Sequence, residues 1–268
     1  MNRTMKAEQI VAMLSKGMIE PKITVIGCGG AGNNVVQRIH CDCRTRVETI
    51  ALNTDEKKLE QIEADKKVLI GKDTTQGDGA MGFPEVGEFC AERARSTIKE
   101  VLSGSDIVII VAGMGGGTGT GAAPIIAEVS RELDAVTFAI AIHPFSFETE
   151  RVKTAGEGIK RLKEVAETTV VLDNDKLLQY AADAKLSDSF AIMDRSIIKI
   201  IDSFCTQISE SFISQIVPEV EEMVQNLDAE ESFQMTSMPS PEAELIHASL
   251  GAMEAKEQED LGNPLMIR

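Results

Sequence analysis

The sequence is poor in the groups on which many functions depend. It has no tryptophan and a single tyrosine, so an aromatic platform for stacking single-stranded bases is not expected. Basic residues are outnumbered, 27 Lys and Arg against 43 Asp and Glu, for a net charge of −16. Binding to the phosphate backbone of DNA or RNA needs a basic surface, so no nucleic-acid partner is expected. No apolar stretch approaches the roughly 20 residues that cross a bilayer, so no transmembrane segment is expected and any membrane link would be indirect. Arg3, Lys6 and Glu8 stand where a secretory leader needs its apolar centre, and secretion is not expected. Five cysteines, an odd number, fit a reducing compartment, so a cytoplasmic location is expected. His40-Cys41-Asp42-Cys43 looks like half of a metal site, but no second Cys/His cluster completes it. No metal held by protein ligands is expected.

What is present is a chain of 268 residues, 43% hydrophobic, enough for one large or two small domains. From Lys22 onward, short β-rich runs alternate with helical patterns. The strands are expected at 23–26, 47–52, 67–70, 106–112, 136–142 and 169–172, with helices near 32–40, 56–63, 85–102, 122–133 and 152–166. That alternation predicts an α/β fold, a doubly wound and mostly parallel sheet with helices on both faces. The runs at 106–112 and 136–142 are nearly all apolar, as strands buried on both sides must be. Residues 1–20 read as an N-terminal amphipathic helix or extension. After Asp173 apolar residues recur at three- and four-residue steps from Leu186 to Ile216, predicting a long central helix over 186–218. About 30 residues at about 1.5 Å each would reach about 45 Å. Beyond it, 219–231 is acidic, 234–241 reads as a loop and 242–260 as a further helix.

The richest local signal is Gly115-Gly116-Gly117-Thr118-Gly119-Thr120-Gly121, between the apolar run 106–112 and the helical pattern that follows. A glycine-rich turn from strand to helix exposes backbone N–H groups at a helix N-terminus, where an anion is favoured. It is not a P-loop, because no Lys-Ser or Lys-Thr closes it. A second such turn, Gly27-Cys28-Gly29-Gly30-Ala31-Gly32-Asn33-Asn34, follows the first strand. With Asp55 about 20 residues on, it matches the dinucleotide-binding fingerprint and by itself would suggest a nicotinamide-dependent oxidoreductase. Two converging cradles at the carboxyl edge of one sheet instead imply a longer phosphate chain, hence a nucleoside triphosphate. Further loops fall on the same edge: Gly77–Glu85, Pro144–Glu148 with Arg151, and Asn174–Leu177.

In this order, Gly27–Asn34, Asn53-Thr54-Asp55, Gly77–Gly87, Gly115–Gly121, Pro144–Glu148 and Asn174–Leu178 resemble the tubulin/FtsZ superfamily, and within it the FtsZ branch. The resemblance is dense from about Ile23 to Leu178, and the string at 115–121 is the superfamily's own signature. It implies a GTP-binding domain over 21–185, GTP or GDP as ligand with Mg2+ accompanying the triphosphate, and GTPase activity at a head-to-tail junction between subunits. It implies that Gly29, Gly30, Ala31, Gly32, Asn33 and Asn34, together with residues 115–121, hold the phosphates through backbone N–H groups. Glu148 and Asn174 would meet the ribose, with Arg151 beside it or the phosphates. Phe190 would stack on guanine, and Asp194 would accept from its N1 and N2 hydrogens. Adenine offers an acceptor at N1, so a carboxylate there selects GTP over ATP.

The family's catalytic loop follows the long helix and reads Asn-x-Asp-x-x-Asp. The nearest string is Asn226-Leu227-Asp228-Ala229-Glu230-Glu231, later than expected and ending in Glu. Asp228 and Glu231 are therefore the expected catalytic acids, acting in trans on the neighbouring subunit's nucleotide. The strands that would complete the family's second domain are not found before Arg268, so 219–268 is expected to be a curtailed, mainly helical region. Two functions follow from the resemblance. One is a GTPase serving cell division or a related cytoskeletal or membrane-remodelling task, associating with itself as a polymer or dimer. The other is a GTP-binding regulator or scaffold that does not hydrolyse and co-assembles with a full-length FtsZ.

Overall fold

A computed structural model of the chain describes residues 21–43, 47–176, 192 and 194–211. The helix expected over 1–20, the ends of the long helix and everything expected over 219–268 lie outside the described residues.

Six strands, β1 (Ile23–Cys28), β2 (Glu48–Asn53), β3 (Lys66–Leu69), β4 (Ile107–Gly113), β5 (Val136–His143) and β6 (Thr168–Asp173), form one sheet in the order β3-β2-β1-β4-β5-β6. Every pairing is parallel. The strands are connected by α1 (Gly29–Asp42), α2 (Glu56–Glu60), α3 (Lys72–Thr75), α4 (Pro84–Arg93), α5 (Arg95–Leu102), α6 (Gly117–Glu132) and α7 (Thr149–Val165). A further helix, α8, runs over 194–211, inside the span expected for the long helix.

The apolar runs become strands because both faces of the sheet are covered. Along β1, Ile26 and Cys28 face a core built with α4, α5, α6 and α7, whereas Ile23 and Val25 face one built with α1 and α8. Alternate residues of β4 divide in the same way, Ile110 and Ala112 to the first core, Ile109 and Val111 to the second. Each fully buried aliphatic side chain contributes about 1.5–3 kcal/mol, so the two cores hold the sheet between its helical layers. Ile197, Ile201 and Cys205 put α8 in the second core, at the four-residue steps of one helical face. Burial there pushes the Cys205 thiol up to about 12, so it behaves as a small apolar side chain.

Of the boundaries that differ from expectation, two are the most informative. The helix expected near 122–133 starts five residues earlier, at Gly117, so most of the glycine string is its first turn. Glycine disfavours helix in isolation, but this turn is wedged between neighbours. A Cβ on Gly117 would lie 2.7 Å from Ala80 Cβ, and one on Gly121 would overlap the Pro84 carbonyl. The helix expected over 85–102 is two helices, broken at Ala94 (φ −96°, ψ 9°). Beyond the break the Arg95 guanidinium donates to Glu128 at 2.9 Å and Glu132 at 2.6 Å on α6.

Candidate functional site

The sheet order places a topological switch point between β1 and β4. From β1 the chain proceeds outward to β2 and β3, and from β4 outward to β5 and β6. Ligands of doubly wound sheets bind in the crevice beyond the carboxyl ends of such a strand pair. Both glycine turns open there, because Cys28 and Ala112 are register partners in β1 and β4.

Two helices present their N-termini to this crevice, and no side chain caps either one. α1 starts after Cys28 and α6 after Gly116, in both cases without a side-chain hydrogen bond at the cap position. The first N–H groups of each helix therefore lack an acceptor within the helix and carry the positive end of its dipole. A Cβ built on Gly30 or Gly116 would meet nothing within 4 Å. By contrast, one on Gly32 would overlap the Val111 carbonyl and one on Gly119 that of Gly113. The glycines thus divide into some that leave space at the crevice and some that let α1 and α6 pack closely on the strands.

Two adjoining cavities occupy the crevice and share Ala31, Gly113 and Arg151. One, of about 640 Å³, is lined by Gly29, Gly30, Gly115, Gly116, Gly117, Thr118 and Gly119, and on its far side by Asp55, Lys58 and the loop Asp78–Phe83. The other, of about 590 Å³, is lined by Asn34 and Arg38 of α1, by Glu148 and Asn174, and by Asp194 at the start of α8. Most of the expected binding residues therefore converge on one crevice. Gly32, Asn33, Thr120 and Gly121 are buried behind it rather than lining it. Phe190, Asp228 and Glu231 lie outside the described residues.

The hydrogen bonds show how the walls are held. Thr54 and Thr118 share a buried hydroxyl–hydroxyl bond of 2.7 Å, tying the loop after β2 to the first turn of α6. The Gly115 N–H donates to Thr120 Oγ1 at 2.8 Å. The Glu148 carboxylate accepts from Phe145 N at 3.2 Å and from the Arg151 guanidinium, while Arg151 Nε donates to the Gly115 carbonyl at 3.4 Å. Asp55 caps α2 by accepting from Lys58 N. Burial alone would raise its pKa, but the Lys58 N–H and ammonium outweigh that and hold it below the usual carboxylate range.

In the second cavity, Arg38 Nε lies 2.8 Å from Asp194 Oδ2. Burial raises the Asp194 pKa, and Arg38 offsets only part of the rise. Asn174, 6% exposed, has a side-chain oxygen with no hydrogen-bond partner in the structure. A buried acceptor left open costs about 1–3 kcal/mol, which a ligand donor at this wall would offset. Among the described residues, no group of three or more His, Cys, Asp or Glu side chains could hold a metal ion.

Arg38, Gln37 and Cys41 line the second cavity as well, and none of the three was expected there. Asn34, Gln37, Arg38 and Cys41 follow three- and four-residue steps, so extending the helical stripe from Asn34 would have found them. Lys58, Glu150 and Thr154, which line the first cavity, carried no comparable signal.

A parallel sheet of this order, with two open helix N-termini at its switch point, defines an α/β protein of the doubly wound class. Comparison with known proteins narrows the class: residues 22–182 match the GTPase domain of the tubulin/FtsZ family, and the chain belongs to that family. It is 46% identical over 182 residues to "Cell division protein FtsZ 2" of Methanocaldococcus jannaschii, covering 68% of this chain and 48% of that protein. It superposes on a solved FtsZ dimer from M. jannaschii with a TM-score of 0.71 at 40% identity, covering 76% of this chain and 59% of that one. CetZ2 from Haloferax volcanii, solved as a GTPgS-bound protofilament, shares the fold with a TM-score of 0.65 at 24% identity, covering 70% and 59%. The chain spans about half the length of the curated relatives it matches. No helix among the described residues is long and apolar enough to cross a membrane.

Proposed function

We propose that this chain binds GTP and GDP in the crevice and hydrolyses GTP at a head-to-tail junction between two copies, in cell division or a related cytoskeletal task. The observation that carries the reading is the convergence of two uncapped helix N-termini with a second compartment walled by Asp194 and Asn174.

In this reading the N–H groups opening α1 and α6 bind phosphate oxygens, and the absence of a Cβ at Gly30 and Gly116 leaves room for them. Arg151, at the junction of the cavities, adds a cation where charge accumulates. Asn174 and Glu148 supply polar contacts for the ribose. The Asp194 carboxylate accepts from guanine N1–H and N2–H and discriminates against adenine, and Phe190 stacks on the base. Mg2+ retains most of its waters and needs few protein ligands beside phosphate, which fits a crevice whose carboxylates, such as Asp55 and Asp78, are scattered along its wall.

The triphosphate supplies the terminal phosphoanhydride bond that water cleaves. The protein's part is positioning and charge stabilisation, with Asp228 and Glu231 of a second copy orienting the water. Activity per molecule should therefore rise with protein concentration.

The test begins with nucleotide extraction from the purified chain: recovered GDP or GTP supports the reading, and recovered NAD overturns it. Turnover is then followed over a hundredfold dilution series in the wild type and in Asp228→Ala and Glu231→Ala. Specific activity that does not change with dilution sinks hydrolysis in trans. Retained nucleotide without turnover favours a binding regulator that co-assembles with a full-length FtsZ.

A further inference from the structure

We infer that Thr120, which lines neither cavity, is a positioning residue for the phosphate cradle. This role rests on the nucleotide reading of the crevice. Gly115 turns the chain out of β4 with φ +88°, a left-handed conformation that other residues adopt at a cost. It is held from both sides. Its N–H donates to Thr120 Oγ1 at 2.8 Å, and its carbonyl accepts from Arg151 Nε at 3.4 Å. Thr120 is itself fixed, being 3% exposed, and a Cβ on Gly158 of α7 would overlap its Cγ2.

Two consequences follow. The Gly115 N–H, the first of the glycine string, is spent inside the protein and is not offered to a ligand. The N–H groups of Gly116 and Gly117 that come next take their direction from the turn that the Thr120 hydroxyl secures. The methyl of the same side chain seats against Gly158, so the hydroxyl is aimed by α7, the helix that also carries Arg151 into the crevice. Thr118, two residues earlier, has a different partner, the Thr54 hydroxyl. The two threonines of the string therefore tie the cradle to different parts of the fold.

The experiment measures binding of GDP and of guanosine to the full chain, together with hydrogen exchange at the Gly115 amide and the melting temperature. Thr120→Val keeps the shape and loses the acceptor. It is expected to weaken GDP about tenfold, leave guanosine unchanged and deprotect the Gly115 amide. Thr120→Ser keeps the hydroxyl and should bind GDP like the wild type. Should Thr120→Val not fold, Gly158→Ala displaces the Thr120 methyl by steric overlap and should weaken GDP, and adding Thr120→Ser in that background removes the methyl and should restore it. GDP affinity indifferent to Thr120→Val overturns the role, as does an equal loss for GDP and guanosine. A wild-type chain that binds no GDP yet shows Thr120-dependent protection of Gly115 sinks the nucleotide reading, and the positioning role with it.

Discussion

Gly30 and Gly32 are two residues apart in the first turn of α1 and lack side chains for different reasons. A methyl on Gly30 would point into open crevice, whereas one on Gly32 would strike the Val111 carbonyl of β4. Gly30→Ala should therefore fold with its melting temperature nearly unchanged and lose much of its GDP affinity, because the methyl fills space that a phosphate needs. Gly32→Ala should lose about 1–3 kcal/mol of stability, as α1 must move off the strand. Denaturant unfolding and GDP titration of the two variants separate these effects. If both lose stability alike, the assignment of Gly30 to the crevice is wrong.

At the scale of elements, α4, α6 and α7 form one covering layer with charged clasps at its surface. Arg161 of α7 donates through both terminal nitrogens to the two Glu88 oxygens of α4, each at 2.6 Å. The Arg161 guanidinium holds the Glu88 carboxyl below the usual carboxylate range, against a smaller opposing effect of burial. A depressed carboxyl stabilises the fold above its unfolded pKa, and the contribution disappears as pH falls through the folded value. Glu88→Gln should thus cost about 0.5–1 kcal/mol near pH 7 after allowance for solvent screening. The difference from wild type should vanish below the ordinary carboxylate range, as urea midpoints across pH can check. This clasp shows what single-sequence reading misses, since its partners are 73 residues apart. The four inner strands, β2, β1, β4 and β5, were legible because burial on both faces leaves a run of apolar residues that needs no knowledge of partners, whereas the edge strands β3 and β6 are partly exposed. The start of α6 was not, since glycine reads locally as a turn and becomes helical only where Ala80 and Pro84 leave no room for a Cβ. The candidate site was legible at its loops, where glycine and polar residues cluster. Arg38 was missed because it lies one helical turn beyond the glycine loop that drew attention, on the stripe that starts at Asn34.

Among the described residues, the three most exposed large apolar side chains gather at one edge of the sheet. Met81, Phe83 and Phe147 are 74%, 61% and 67% exposed, and all lie in loops at the carboxyl edge of the sheet, beside the crevice. Met81 and Phe83 belong to the loop lining the first cavity. Phe147 stacks on the buried Phe145 with ring centroids 5.1 Å apart, one residue before Glu148. Solvating large apolar groups is unfavourable, and a cluster of them around a ligand site suits a surface that a second copy covers. Fully burying one such ring is worth about 1.5–3 kcal/mol, and about 1.4 kcal/mol is a factor of ten in an association constant. For the head-to-tail association proposed above, Phe147→Ser should therefore raise the protein concentration needed for GTP-dependent assembly by about tenfold or more, while GDP affinity stays at the wild-type value because the ring lines neither cavity. Light scattering against concentration, beside a GDP titration, reads both quantities. Unchanged assembly places the contact between copies away from this edge, and a parallel loss of GDP affinity makes Phe147 a support of the Glu148 loop instead.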